Sequence, residues 1–168
     1  PATDTVELFE QRIAALKQWL GDKPIWVTEF GVVIGQDGQQ LGNFTAKTET
    51  DAAAWFIRYY AAGLAQGVKR FFSDRQSFVN VSGTSSGYLR YLPYYVNLMM
   101  ESLLGGFSSA TKLASGQYSF VVDGRNVYVL SSGVPSSLTG QVTAYDKYGN
   151  ASVVDASSLA PSNSDSLI

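Results

Sequence analysis

The stretch Lys23-Pro24-Ile25-Trp26-Val27-Thr28-Glu29-Phe30-Gly31 is a short apolar run that ends in a carboxylate, an aromatic ring and a glycine. A buried strand that delivers one Glu at its C-terminal end is a common way to hold a catalytic carboxylate at the mouth of an α/β barrel. The chemistry open to Glu29 is narrowed by what the chain lacks. There is no His and no Cys among the 168 residues. Ser-His-Asp catalysis, His-ligated metals, disulfides, thiolate chemistry and Cys-based zinc sites are therefore excluded. Acid–base work must fall to Asp, Glu, Tyr or Lys.

A second carboxylate is harder to find. Asp74 follows a second apolar run and is the candidate substrate-binding residue at the same mouth; its alternative is a salt bridge with Arg75 or Arg70. Glu49, Asp51 and Asp37 lie in or beside a long loop. Asp51 also reads as a helix cap and Asp37-Gly38 as a turn. Tyr59, Tyr60, Tyr88, Tyr91, Tyr94 and Tyr95 invite comparison with a sugar-stacking surface, but tyrosines at helical spacing more often pack or form interfaces. Trp19 and Trp55 read as packing residues. Asn43-Phe44-Thr45, Asn80-Val81-Ser82 and Asn150-Ala151-Ser152 match the glycosylation sequon, a short pattern that arises often by chance. Glycines 31, 35, 38 and 42 follow neither the dinucleotide nor the phosphate-loop spacing.

The elements that must position these groups follow from periodicity. Val6, Phe9, Ile13, Leu16 and Leu20 form one apolar stripe, so residues 3–20 are expected to be helical, with Asp4 and Glu7 as cap and capping-box partner and Gly21 as the stop. Residues 24–29 read as a buried strand. A Gly-rich loop runs from Gly31 to Lys47, and a helix apolar on most sides runs from about Thr48 to Gly67, with Trp55 enclosed. Val68 to Phe72 reads as a second strand, Ser73 to Gly87 as a loop, and Pro93 to Leu104 as a third helix. After Gly106 the pattern alternates. Tyr118, Phe120 and Val122, the turn Asp123-Gly124-Arg125-Asn126, then Val127 and Val129 form one hairpin. Val142, Ala144, Tyr148-Gly149-Asn150 and Val153-Val154 form another. Residues 156–168 are Ser-rich and expected to fray.

The expected fold is α/β plus β. Residues 1–106 form a partial (β/α) barrel of two parallel strands and three helices. Residues 107–160 form a small antiparallel β-sandwich-like unit, and residues 161–168 a disordered tail. Two such strands cannot close a barrel, and parallel strands need neighbours at both edges. Either an N-terminal portion is missing, or copies of the chain complete one another as a dimer or higher oligomer. The net charge of −2 without a basic block argues against nucleic acid or an anionic membrane as partner. No apolar run approaches the length of a bilayer span. Pro1 rather than Met opens the sequence and no signal peptide is seen, which suggests a trimmed or processed chain. Secretion, periplasm and cytoplasm all fit the absence of Cys.

From Asp4 to about Asp155 the sequence resembles the C-terminal part of a clan A glycoside hydrolase. Pro24-Ile25-Trp26-Val27-Thr28-Glu29-Phe30-Gly31 resembles the seventh barrel strand, whose Glu is that clan's nucleophile. Val68 to Phe72 resembles the eighth. Pro93-Tyr94-Tyr95 and Leu103-Leu104-Gly105-Gly106 resemble the last barrel helix. Val142-Thr143-Ala144-Tyr145-Asp146-Lys147-Tyr148-Gly149-Asn150 resembles a hairpin of the appended sandwich. The pieces come in the clan's order.

This resemblance implies a retaining hydrolase with Glu29 as nucleophile, a carbohydrate or similar small hydrolysable substrate, and neither metal nor cofactor. Such chemistry needs two carboxyl groups ~5 Å apart. The clan's acid/base Glu lies on the fourth strand, in the half of the barrel not present here. Where the clan commonly has a sugar-stacking Trp after the eighth strand, this chain has Ser73-Asp74-Arg75. The alternative expectation is a non-catalytic fragment that forms a stable oligomer or binds carbohydrate.

Overall fold

A computed structural model describes residues 5–34, 45–46, 48–73, 79–80 and 89–168. The chain is a mixed α and β protein. Among the described residues it has three α-helices, two two-stranded parallel sheets and several antiparallel sheets. Helix α1 (Val6–Leu20) begins at Thr5, whose Oγ1 accepts the Leu8 N–H at 3.2 Å. The cap is thus Thr5, while Asp4 lies outside the described residues; the helix starts at the first residue of its apolar stripe, three residues later than the expected span of 3–20. Ile13 is buried, but Leu16, counted in that stripe, is largely exposed.

Strand β1 (Ile25–Phe30) and strand β4 (Val68–Ser73) pair in parallel. Short strands β2 (Val33–Ile34) and β3 (Thr45–Ala46) also pair in parallel. Helix α2 (Glu49–Ala65) connects this pair to β4. Thr48 caps it: its Oγ1 accepts the Asp51 N–H at 3.0 Å and donates to Asp51 Oδ2 at 2.9 Å. Strands β5 (Val79–Asn80) and β6 (Leu89–Arg90) form an antiparallel pair ahead of helix α3 (Leu92–Leu104).

The C-terminal part opens with a meander. Strand β7 (Ser109–Ala114) was not legible as a strand, because its polar and apolar residues do not alternate and Leu113 is its one large apolar side chain. It pairs with β8 (Gln117–Val122), and β8 with β9 (Arg125–Leu130). The β8–β9 turn is Asp123-Gly124, both at positive φ (49° and 75°), the conformation that a two-residue Asp-Gly hairpin favours. Strands β10 (Gln141–Tyr145) and β11 (Ala151–Asp155) make the second hairpin.

The expected disordered tail is a correction. Residues 161–168 return to the sheets: Leu167 bridges Leu130, and Ile168 exchanges backbone hydrogen bonds with Tyr145 at 2.8 and 3.0 Å. Ser166 and Ile168 are buried. Ser-rich composition suggested fraying, but paired backbone groups and one buried Ile hold the segment.

One core crosses the boundary expected after Gly106. Phe30, Phe56, Ile57, Val96 and Met100 from the first part pack in the same cluster as Tyr118, Phe120, Val129 and Ile168. Gly63 sits where α2 presses on the parallel sheet, and a Cβ there would overlap the Phe71 ring. Gly63→Ala should therefore lower stability by about 1–2 kcal/mol in urea unfolding: helix propensity favours Ala by up to ~1 kcal/mol, but overpacking costs ~1–3. A stabilised variant would show that Phe71 moves aside freely.

Candidate functional site

Glu29 is the penultimate residue of β1 and is exposed. Two irregularities in the β1–β4 pairing put it there. Ile25 faces Val68 and Trp26 faces Arg70, so Lys69 is an extra residue on β4. Val27 faces Phe71 and Phe30 faces Ser73, so β1 carries the next extra residue, and Thr28 and Glu29 together stand opposite Phe72. The two bulges cancel, and the strands end in step.

Their effect is visible in burial. Simple alternation from buried Ile25 would put Ile25, Val27 and Glu29 on one face. Instead Ile25 and Phe30 are buried, Val27 is half-buried, and Thr28 and Glu29 are both exposed. A bulge bends the strand and re-aims a side chain, a device frequent at barrel rims and beside active sites. Phe30 anchors the bend. Its ring lies 5.0 Å from Trp55, 5.2 Å from Phe56 and 4.7 Å from Phe71, centroid to centroid.

The sheet face away from this core carries exposed aromatic side chains. Trp26 is 53% exposed and Phe72 47%, their rings 6.0 Å apart, and the Arg70 guanidinium lies over the Trp26 ring at 5.7 Å. Among the described residues Glu29 has no hydrogen-bond or ion-pair partner. An exposed carboxylate without a partner among the described residues, on a strand pair that also exposes an aromatic pair and a cation, can meet a ligand.

The other sequence candidates separate. Asp74 and Asp37 lie outside the described residues, as do Tyr88 and Asn43. Glu49 is structural: its Oε2 accepts the Leu92 N–H at 2.9 Å, so the first residue of α2 caps α3. Asp51 is spent on the Thr48 cap. Tyr59 is buried, Tyr60, Tyr91 and Tyr94 are half-buried, and Tyr95 is exposed. Trp55 does pack, stacked on Tyr59 with centroids 4.4 Å apart. Trp19 does not: it is 83% exposed, on the flank of α1 away from Ile13. The Asn150 side chain donates to Asp146 at 2.9 Å. No group of three or more acidic residues suited to a metal ion occurs among the described residues, and no described helix is long and apolar enough to cross a membrane.

Sequence reasoning missed a polar network that ties α1 to the meander. Glu10 is buried, ion-paired with Lys112 and hydrogen-bonded by Tyr118 Oη at 3.1 Å. One turn earlier, Glu7 Oε1 accepts the Ser115 hydroxyl at 2.6 Å. That bond, with local backbone help, holds the Glu7 carboxyl below its ordinary range. Burial, then the neighbouring Glu10 carboxylate, pushes the Tyr118 phenol well up, so it stays a donor. Glu10 falls beside the apolar stripe of α1, at a position where a solvent-facing Glu is the ordinary reading.

Comparison with known proteins gave no match to a family model, to a curated protein or to a solved structure.

Proposed function

We propose that the chain is a glycoside-hydrolase-related hydrolase of retaining type, built on a partial (β/α) barrel, with Glu29 as nucleophile. The observation that carries this reading is the compensated bulge pair. It leaves a carboxylate exposed at the C-terminal end of β1, on a strand pair that also exposes Trp26 and Phe72. In this reading Glu29 attacks the anomeric carbon, and the bond to the leaving oxygen breaks with its electron pair. The Trp26–Phe72 pair offers an apolar surface for a sugar face, in place of the Trp missing after the second strand.

An ordinary glycoside needs a proton on the departing oxygen, and in a retaining site the acid stands ~5 Å from the nucleophile. No described residue is assigned that role here. An aryl glycoside with a very acidic phenol removes that need, because dinitrophenolate leaves without protonation. The expected outcome is that dinitrophenyl glycosides are cleaved and the corresponding alkyl glycosides are not. Equal inertness toward both would sink the reading.

The exposed Trp26–Phe72 pair favours a second reading, a non-catalytic fragment that self-associates. Parallel sheets are normally covered on both faces, and among the described residues only one face of this sheet packs against helices. Light scattering after size exclusion should give a discrete dimer or larger oligomer. A folded monomer at micromolar concentration, with its aromatic face still exposed, would rule that reading out.

A further inference from the structure

We propose that a second cleft, between the first turn of α1, helix α2 and the 115–116 and 131–132 segments, binds a single neutral sugar ring. The cleft has a volume of about 290 Å³ and is lined by Glu7, Trp55, Arg58, Tyr59, Ser132 and Asn163, among others; Glu29 does not line it. Small-molecule pockets begin at ~300 Å³, so one ring fits and an oligosaccharide does not.

The chemistry of the walls selects the ligand. Glu7 presents a carboxylate whose Oε1 accepts the Ser115 hydroxyl at 2.6 Å, with the Thr5 side chain as a weaker second partner. Arg58 has five N–H donors. Only Nε is committed among the described residues, to the Ala54 carbonyl at 3.2 Å. One anion and one cation thus share a small space. A ligand bearing a single charge is attracted by one of them and repelled by the other. A neutral polyol is not repelled, since each hydroxyl can both donate to Glu7 and accept from Arg58. Ser132 and Asn163 add further polar partners, and the stacked Trp55–Tyr59 pair supplies an apolar wall.

Gly116 keeps the opposite wall bare. It has φ +69°, and a Cβ there would come within 2.6 Å of Ser131 Oγ and 2.7 Å of Ser132 Oγ. The cleft rests on elements other than the Trp26–Phe72 face, so this inference stands or falls apart from the hydrolase reading.

The test is an amide and indole NMR titration of the full chain. The probes are glucose, galactose, mannose, xylose and N-acetylglucosamine, each to tens of millimolar, with inorganic phosphate and acetate as charged counterparts. At least one sugar should saturably shift Gly116, Ser132 and the Trp55 indole, and neither anion should. Arg58→Met should weaken that sugar by about tenfold, the loss of a charged donor. Asn163→Ala, at an exposed position, should also weaken it, and serves if Arg58→Met folds poorly. No shift at these residues with any of the five sugars, or tighter binding of phosphate or acetate, would overturn the proposal.

Discussion

Glu29→Gln is expected to lower the cleavage of a dinitrophenyl glycoside by at least about three orders of magnitude while leaving the fold intact. The substituted side chain is nearly isosteric, exposed and without a described partner, so no packing or ion pair is lost. What is lost is the attacking oxygen anion. A second variant separates nucleophile from bystander. In Glu29→Ala the vacated space admits a small anion, and added formate or azide should restore part of the rate. A carboxylate that only shapes the local field would show neither the large loss nor the rescue. Unchanged rates in Glu29→Gln would remove Glu29 from the chemistry.

The largest stability effect is expected at Glu10. Its side chain is buried on α1 and meets Lys112 of β7 and Tyr118 of β8, which are distant in sequence. Removing one partner of a buried pair strands the other charge, at ~3–5 kcal/mol for full burial. The Lys112 side chain is 33% exposed and recovers some solvent, so Glu10→Ala should cost about 2–4 kcal/mol. For a chain of this size that lowers Tm by roughly 4–16 °C. Lys112→Met should cost a similar amount, about 2–4 kcal/mol, because it strands the more deeply buried Glu10 carboxylate, which keeps the Tyr118 hydroxyl. The double variant Glu10→Met with Lys112→Met should lie near the wild type, since apolar replacement of a buried pair is often neutral. Urea melts of the four proteins test this. Single variants within about 0.5 kcal/mol of wild type would show that the pair contributes nothing.

The long apolar periodicities were readable because each implies one face and one length. Helices α1, α2 and α3 and strands β1 and β4 lie within a few residues of their expected bounds, and Asp123-Gly124 marked its hairpin. What was not readable depends on partners. Glu10 looks like any exposed helical Glu until Lys112 and Tyr118 arrive from about a hundred residues away. Trp19 carried the expectation of a large aromatic side chain and is solvent-facing, because the helix turns Ile13 and Glu10 inward instead. Strand β7 has no apolar alternation strong enough to declare itself. The tail's order comes from backbone pairing with Leu130 and Tyr145, which composition does not encode.

The candidate site divides in the same way. Glu29 at the end of a strand was legible from Ile25-Trp26-Val27-Thr28-Glu29-Phe30 alone. Its exposure was not, since strict alternation would place it with buried Ile25 and half-buried Val27. The register slip at Lys69 and its reversal at Thr28–Glu29 are properties of the pair of strands.

The most direct measurement is intact-mass and peptide mapping after incubation with a dinitrophenyl glycoside of a deoxyfluoro sugar. Fluorine beside the anomeric carbon slows both steps, and the acidic leaving group restores the first, so a glycosyl ester accumulates wherever a nucleophile attacks. The account predicts a single sugar adduct, esterified to Glu29, that Glu29→Gln does not form. Absence of any adduct across a panel of such sugars, or an adduct on another carboxylate with Glu29 unmodified, would contradict it.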